Sequence, residues 1–198
     1  MLAYVFWHWP KPGIKVDEYI RKLIEFHASL ASHAPEGFSH SVVVELTRPP
    51  WLKAESVAFE DWYLVRDSGV LDQLNFAAVS GENELPHNQV AFDAAGGTAG
   101  LYRLKQGDIS ALQTADVATW FSKDPGVSYN KLYEELNPLC SGSAVGLWCR
   151  QMTLGPTTEF CLRSETEIAL PSGVATDVYR TPIKTIWGAL RLATDEHR

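Results

Sequence analysis

The apolar residues of the chain fall in short runs whose spacing alternates between that of strands and that of helices. Residues 3–9 form a continuous apolar and aromatic run, typical of a buried strand, which Pro10 and the pair Pro12-Gly13 bring to an end. The positions that follow predict an amphipathic helix over residues 16–33. Its apolar face recurs at three- and four-residue intervals, at Val16, Ile20, Leu23, His27 and Leu30.

The rest of the first half continues the alternation and predicts a complete α+β unit. A strand ends before Pro49-Pro50, and a strand rich in aromatic residues follows. Pro86 is well placed in the first turn of a short helix, which we expect to stop at Gly96-Gly97. The predicted elements are strands at 39–47, 59–66 and 99–104 and helices at 69–79 and 86–96. Treating the two consecutive helices as one, the order strand, helix, strand, strand, helix, strand is that of a ferredoxin-like unit.

The second half repeats the first in a shortened form. Trp120 lies 113 positions after Trp7, and Pro125-Gly126 lies 113 positions after Pro12-Gly13. Each of the two segments has the pattern strand, turn, helix. A later pair of strand motifs, at residues 101–104 and 178–181, is 77 positions apart, so the second copy is 36 residues shorter. Most of that loss falls where its second helix should be. The sequence thus predicts two tandem ferredoxin-like units, 1–106 complete and 107–198 shortened.

Two such units in one chain predict an intramolecular α+β barrel. A ferredoxin-like sheet carries helices on one face, and its other apolar face must be buried as well, which a second sheet achieves. The interior of that barrel is then the expected place for a small-molecule pocket. The small residues Val5 and Ala118 suit the helix-packed face, so we expect His8, with Tyr4 and Phe6, to point into the barrel.

Composition and charge narrow the class of protein. The chain has 198 residues, 45% of them hydrophobic, and a formal net charge of −7 without a Lys/Arg-rich run, so no nucleic-acid partner is expected. Its apolar runs are shorter than the roughly 20 residues that span a bilayer, so no membrane contact is expected. The first ten residues lack the basic region of a signal peptide. Cys140, Cys149 and Cys161 show no CxxC spacing, which favours reduced thiols and a cytoplasmic protein.

The segment from Phe6 to Tyr19, followed by Phe26-His27-Ala28, resembles the opening of EthD-like members of the dimeric α+β barrel superfamily. The shared features are a strand, a Lys-Pro-Gly turn, an acidic helix start and a His-Ala pair late in the helix. The resemblance implies the barrel fold and places His27 in or beside the pocket. Because the superfamily includes monooxygenases, cyclases, haem-degrading and haem-binding proteins, it leaves the activity open.

Two histidines are the candidate catalytic residues. His27 lies on the apolar face of the first helix and could act as a general acid or base near neutral pH. A helix-end histidine could instead hydrogen-bond a carbonyl and complement the helix dipole. His8, between two tryptophans on the first strand, is the second candidate, with core packing as the alternative.

The candidate ligand-binding residues lie on the first and third strands. Phe6, Trp62 and Tyr63 could pack against an aromatic ligand, and Arg66 or Tyr63 could bind a carboxylate or enolate. Strand-end and core positions are the alternative for each. The histidine spacing matches no metal motif, so no metal site is predicted.

These residues favour an enzyme that acts on a small apolar or aromatic molecule without a cofactor, as an oxygenase, cyclase or isomerase. A non-catalytic ligand-binding or stress-response protein is the alternative, and a haem-binding protein is a further one. The fold is also compatible with a homodimer.

Overall fold

The computed structural model describes residues 1–47, 49–52, 57–142, 144–153, 155 and 157–188. These residues form eight strands and five α-helices. The strands are β1 (Leu2–Pro10), β2 (Phe38–Thr47), β3 (Val57–Val65), β4 (Ala94–Gly107), β5 (Val117–Lys123), β6 (Val145–Arg150), β7 (Phe160–Ser164) and β8 (Ala175–Trp187). The helices are α1 (Val16–Ser32), α2 (Val70–Ala78), α3 (Glu84–Asp93), α4 (Ala111–Thr114) and α5 (Tyr129–Leu136).

The strands close into one antiparallel barrel in the order β1-β3-β2-β8-β5-β7-β6-β4. Within each half, the fourth strand lies beside the first, the first beside the third, and the third beside the second. The halves join where β2 pairs with β8 and where β4 pairs with β6. The predicted α+β barrel is therefore confirmed as a fold.

Local sequence signals explain only some of the element boundaries. Helix α5 begins at Ser128, whose side chain accepts a hydrogen bond from the backbone N–H of Lys131, whereas Lys15 before α1 provides no such cap. The expected helix stop at Gly96-Gly97 is wrong, because α3 ends at Asp93 and both glycines lie inside β4. Gly97 is needed there for space, since a Cβ atom would come within 2.4 Å of the Phe6 ring.

Tryptophan side chains from opposite walls fill the interior of the barrel. The rings of Trp7 on β1 and Trp120 on β5, four strands apart around the barrel, have centroids 5.6 Å apart. Trp62 and Trp148 meet at 5.0 Å, and small residues such as Val5 lie between these rings. The expectation of a pocket in the interior is therefore not met, because aromatic rings occupy that space.

The same packing reverses the predicted direction of His8. Val5 and Trp7 face the interior, so His8, with Tyr4 and Phe6, points outward to the helix layer. The small size of Val5 suits the crowded interior, where it alternates with tryptophans. Because side chains alternate along a strand, assigning one residue to the wrong face reversed the whole strand.

A buried ion pair crosses the interior between the two halves. The Glu60 carboxylate on β3 accepts hydrogen bonds from the Arg163 guanidinium on β7 and from the indole N–H groups of Trp7 and Trp62. Both charged side chains are almost completely excluded from solvent. Burial lowers the pKa of Arg163 to about 9. The pair joins strands on opposite walls of the barrel.

The outer face of the barrel is covered unequally in the two halves. Helices α1, α2 and α3 lie over the first half, whereas residues 165–174, between β7 and β8, contain no helix. Over the second half, α5 and apolar residues such as Phe121, Leu132 and Phe160 form a closed cluster. The space between sheet and helices is thus filled in the second half and left partly open in the first.

Replacing Arg163 by Met is expected to lower the free energy of unfolding by about 3–5 kcal/mol, because the Glu60 carboxylate would remain buried without its charge partner. Replacing Glu60 by Leu as well removes both charges, so the double variant should be more stable than the Arg163→Met variant. Urea unfolding of both single variants and the double variant measures the coupling. Additive losses would show that the two side chains act independently.

Candidate functional site

A cavity of about 580 Å³ lies between the outer face of the first-half sheet and helices α1, α2 and α3. Aromatic side chains from β1 and β3 form its floor, and apolar side chains from α2 and α3 form its roof. The floor contains Tyr4, Phe6, His8, Asp61 and Tyr63, and α1 adds Tyr19 and Phe26. The roof and rim contain Leu71, Leu74, Asn75, Ala78, Val79, His87, Val90, Ala91, Ala94, Ala95 and Gly96. The volume suits a small organic molecule of a few rings.

A carboxylate and two imidazoles are buried together at the floor of this cavity. One carboxylate oxygen of Asp61 lies 3.1 Å from Nε2 of His8, and the other lies 3.2 Å from Nε2 of His27, both at hydrogen-bond distance. The hydroxyl of Tyr63 donates a third hydrogen bond to Asp61, at 3.0 Å. Asp61, His8 and His27 are 2%, 1% and 0% exposed. We call these three residues, with Tyr19 and Tyr63, the Asp61 cluster.

Electrostatics keep the central carboxyl ionised. Burial alone would raise the pKa of Asp61, but the positive charges that His8 and His27 carry when they are protonated, together with their hydrogen bonds, outweigh it and hold that pKa well below its usual range. Burial and, secondarily, the negative charge of Asp61 raise the pKa values of Tyr63, Tyr19 and Tyr4. The tyrosines therefore stay neutral around a single negative charge.

The ionised carboxylate fixes the tautomers of both imidazoles. Because it can only accept hydrogen bonds, each Nε2 must carry the hydrogen that faces it. In neutral His8, Nδ1 is then an acceptor, and it lies 2.7 Å from the hydroxyl of Tyr19. Likewise, Nδ1 of neutral His27 lies 2.8 Å from Oγ of Ser41. Both rings are therefore held in one orientation by partners on either side.

The second half of the chain contributes to this arrangement through β8. The indole N–H of Trp187 donates to Oγ of Ser41 at 3.2 Å, so the Ser41 hydroxyl hydrogen is free to point at Nδ1 of His27. The Trp187 ring also lies 6.4 Å from the His27 ring, centroid to centroid. A strand from the second half thus covers the buried side of the Asp61 cluster.

The structure brings some of the predicted site residues together and separates others. His8, Phe6 and Tyr63 line the cavity, and His27 lies behind them, bonded to Asp61 rather than to a helix carbonyl. Trp62 points into the barrel interior. Arg66 lies at the surface beside Asp67 and Glu36. Neither residue lines the cavity. Trp62 is on the opposite face of β3, and Arg66 lies beyond the end of that strand.

Sequence reasoning missed Asp61 and Tyr19 as site residues. Asp61 is an acidic residue in the middle of an apolar strand, which is a recognisable signal because a buried carboxylate requires partners. The spacing of apolar residues along α1 gives no indication that the Tyr19 hydroxyl meets His8. His87 on α3 also lines the cavity.

The donor set does not favour a metal or a haem at the cluster. Among the described residues, no three His, Cys, Asp or Glu side chains are arranged to hold a metal ion. Each ring nitrogen of His8 and His27 is already hydrogen-bonded, so neither histidine presents a free nitrogen to a haem iron. Within the described ranges, no helix is long and apolar enough to cross a bilayer.

Comparison with known proteins places the fold among α+β barrels. No protein-family profile matches the chain, and no curated protein sequence matches it. A protein from Fusobacterium nucleatum, provisionally described as a monooxygenase, superposes with a TM-score of 0.64 at 9% identity, over 96% of this chain and 95% of its own. Another, from Lactobacillus acidophilus and described in the same way, gives 0.55 at 10% identity, over 93% and 94%. The chain is similar to both in fold.

Replacing Asp61 by Asn is expected to lower the free energy of unfolding at neutral pH by about 1–3 kcal/mol, because the amide cannot accept hydrogen bonds from both imidazoles and Tyr63. In the wild type, the contribution of Asp61 is complete above the ordinary aspartate pKa of about 3.9 and is lost as the pH falls toward its lower folded value. The variant should lack this acid-dependent loss.

Urea unfolding between neutral pH and about pH 3 tests both parts of this prediction. Asp72→Asn, at an exposed position of α2, is the matched control and should change little. An Asp61→Asn variant as stable as the control would show that the carboxylate has no structural role.

Proposed function

We propose that the protein is an enzyme that removes a proton from a small, largely apolar or aromatic molecule in the cavity. His8 is the proton acceptor, and Asp61 orients its ring and stabilises the imidazolium that forms. The observation that carries the proposal is an imidazole that lies on the wall of a largely apolar cavity and is hydrogen-bonded to a buried carboxylate. A base supported in this way contributes about 10²–10⁴-fold to rate.

His27 has a supporting role in this proposal. Its Nε2 holds the second oxygen of Asp61, and it does not itself line the cavity. With two imidazoles and Tyr63 as donors, the carboxylate stays ionised and fixed in position. His27 is therefore a positioning residue, and His8 is the residue near the ligand.

Proton removal is the first step shared by several reactions of activated aromatic and carbonyl compounds. It would start the oxygenation of an electron-rich phenol, the cyclisation of a carbonyl chain, or an isomerisation through an enol. The two structural neighbours provisionally described as monooxygenases make the oxygenase form the first activity to assay. A cofactor-free reaction agrees with a cluster whose nitrogens are all hydrogen-bonded within the protein.

We also propose that the two halves are tandem ferredoxin-like units related to the EthD-like proteins, with residues 107–198 as the shortened unit. The support is the same strand order in both halves and the EthD-like opening segment.

The three cysteines are unpaired and buried, which agrees with a reducing, cytoplasmic environment.

The proposal predicts that a weakly acidic phenol ionises when it binds. With 7-hydroxycoumarin as the probe, whose neutral and anionic forms absorb differently, the bound probe should be more ionised than the free probe at the same pH. His8→Gln should reduce its ionisation constant in the complex by about tenfold or more, because the proton acceptor is lost.

Arg66→Gln, at the exposed end of β3, is the matched control and should leave the ionisation unchanged. Equal ionisation in the wild type and in His8→Gln would exclude His8 as the base. A probe that binds tightly but stays neutral in the wild type would favour the non-catalytic binding protein.

A further inference from the structure

The polar hydrogens of the Asp61 cluster are all donated within the cluster. Nε2–H of His8 and the hydroxyl of Tyr63 both donate to Asp61. The hydroxyl of Tyr19 lies 2.7 Å from Nδ1 of His8, which can only accept when Nε2 carries the hydrogen. The single hydrogen of each tyrosine hydroxyl is therefore already donated within the protein.

What remains for a ligand at this end of the cavity is a set of acceptors. Tyr19 and Tyr63 line the cavity, and each keeps lone pairs on its oxygen after donating its hydrogen. Asp61, which also lines the cavity, adds its negative charge beside them. A ligand carbonyl placed here would face lone pairs and a negative charge, whereas a ligand hydroxyl would find an acceptor.

We propose that this end of the cavity is an acceptor subsite that selects a ligand hydroxyl, such as that of a phenol or an enol, and that Tyr19 is the residue that receives it. The proposal rests on the proposed function, because it names the substrate class of the same site and the atom that first meets the substrate.

Tyr19 is better placed than Tyr63 to pass a proton onward. The partner of Tyr19 is Nδ1 of the His8 imidazole, whereas the partner of Tyr63 is a carboxylate that already accepts hydrogen bonds from two imidazoles. The Tyr19 side chain lines the cavity, and its hydrogen bond to His8 holds the hydroxyl in a fixed direction.

The proton transfer is balanced within the chain. The substrate O–H bond breaks and its proton goes to the Tyr19 oxygen, while the original Tyr19 hydrogen moves to Nδ1 of His8. The substrate oxygen keeps the bonding electron pair as an anion, and it now accepts a hydrogen bond from Tyr19. His8 becomes an imidazolium whose Nε2–H remains bonded to Asp61.

Tyr4 provides an internal contrast on the same floor. It lines the cavity four residues before His8 along β1, about 13 Å away at the spacing of a strand. Within the described residues its hydroxyl has no hydrogen-bond partner in the protein, so it can donate to a ligand oxygen. A carbonyl group therefore suits the Tyr4 end, and a hydroxyl suits the Tyr19 end.

Binding of a matched ligand pair tests the subsite without requiring turnover. The wild type should bind 2-naphthol about tenfold or more tightly than 2-methoxynaphthalene, which has the same rings and oxygen but no hydrogen to donate. Tyr19→Phe should reduce this ratio to about threefold or less. Tyr129→Phe, the same substitution at an exposed position of α5 outside the cavity, should leave the ratio unchanged.

Titration calorimetry gives the affinities, and circular dichroism checks that each variant is folded. Equal affinity for the two ligands in the wild type, or no binding of 2-naphthol, would overturn the subsite even if Tyr19→Phe does not fold. A ratio that persists in folded Tyr19→Phe would overturn the role of Tyr19. A hydroxyl preference with a neutral bound 7-hydroxycoumarin would support the subsite while refuting proton removal by His8.

Discussion

Two consecutive carboxylates on β3, buried on opposite faces of one sheet, impose the main constraint on this structure. Glu60 points into the barrel and is neutralised by Arg163 from the far wall. Asp61 points to the helix layer and is held by two imidazoles. Since a buried charge is tolerated only with partners, the pair ties both layers of the protein to a single strand. The interior ion pair and the cavity cluster are therefore built on neighbouring backbone positions.

The two layers divide the structural and chemical roles. Tryptophans and one ion pair fill the interior of the barrel, so its role is structural. The polar residues at the cavity lie between sheet and helices, where α2 and α3 stand above the floor. In the second half, Phe121 and its neighbours fill the corresponding layer. The first half of the barrel thus carries the candidate chemistry, and the second half contributes Trp187 beside His27 and Ser41.

The sequence allowed the elements and the barrel to be predicted, because helix α1 and the strands follow clear hydrophobic periods. It did not allow the faces of the strands to be assigned, since a period of two is symmetric and residues on both faces are apolar. His8 was placed on the wrong side for that reason. The contacts among His8, Asp61 and His27 join residues far apart in the chain, so spacing alone could not reveal them. Phe6 and Tyr63 line the cavity, and their ligand-binding roles stay predictions.

The hydrogen bond from Trp187 to Ser41 has a consequence for how the site matures. Ser41 fixes the orientation of His27, but the indole that fixes Ser41 belongs to a strand that is synthesised nearly 150 residues later, as the sequence separation of 146 shows. A nascent chain that has folded only its first half therefore lacks the indole that fixes Ser41, and its β2 edge is still unpaired. Closure of the barrel by β8 both covers that edge and places Trp187 against Ser41, so the order of synthesis leaves the Ser41 hydroxyl without this partner until the two halves have joined.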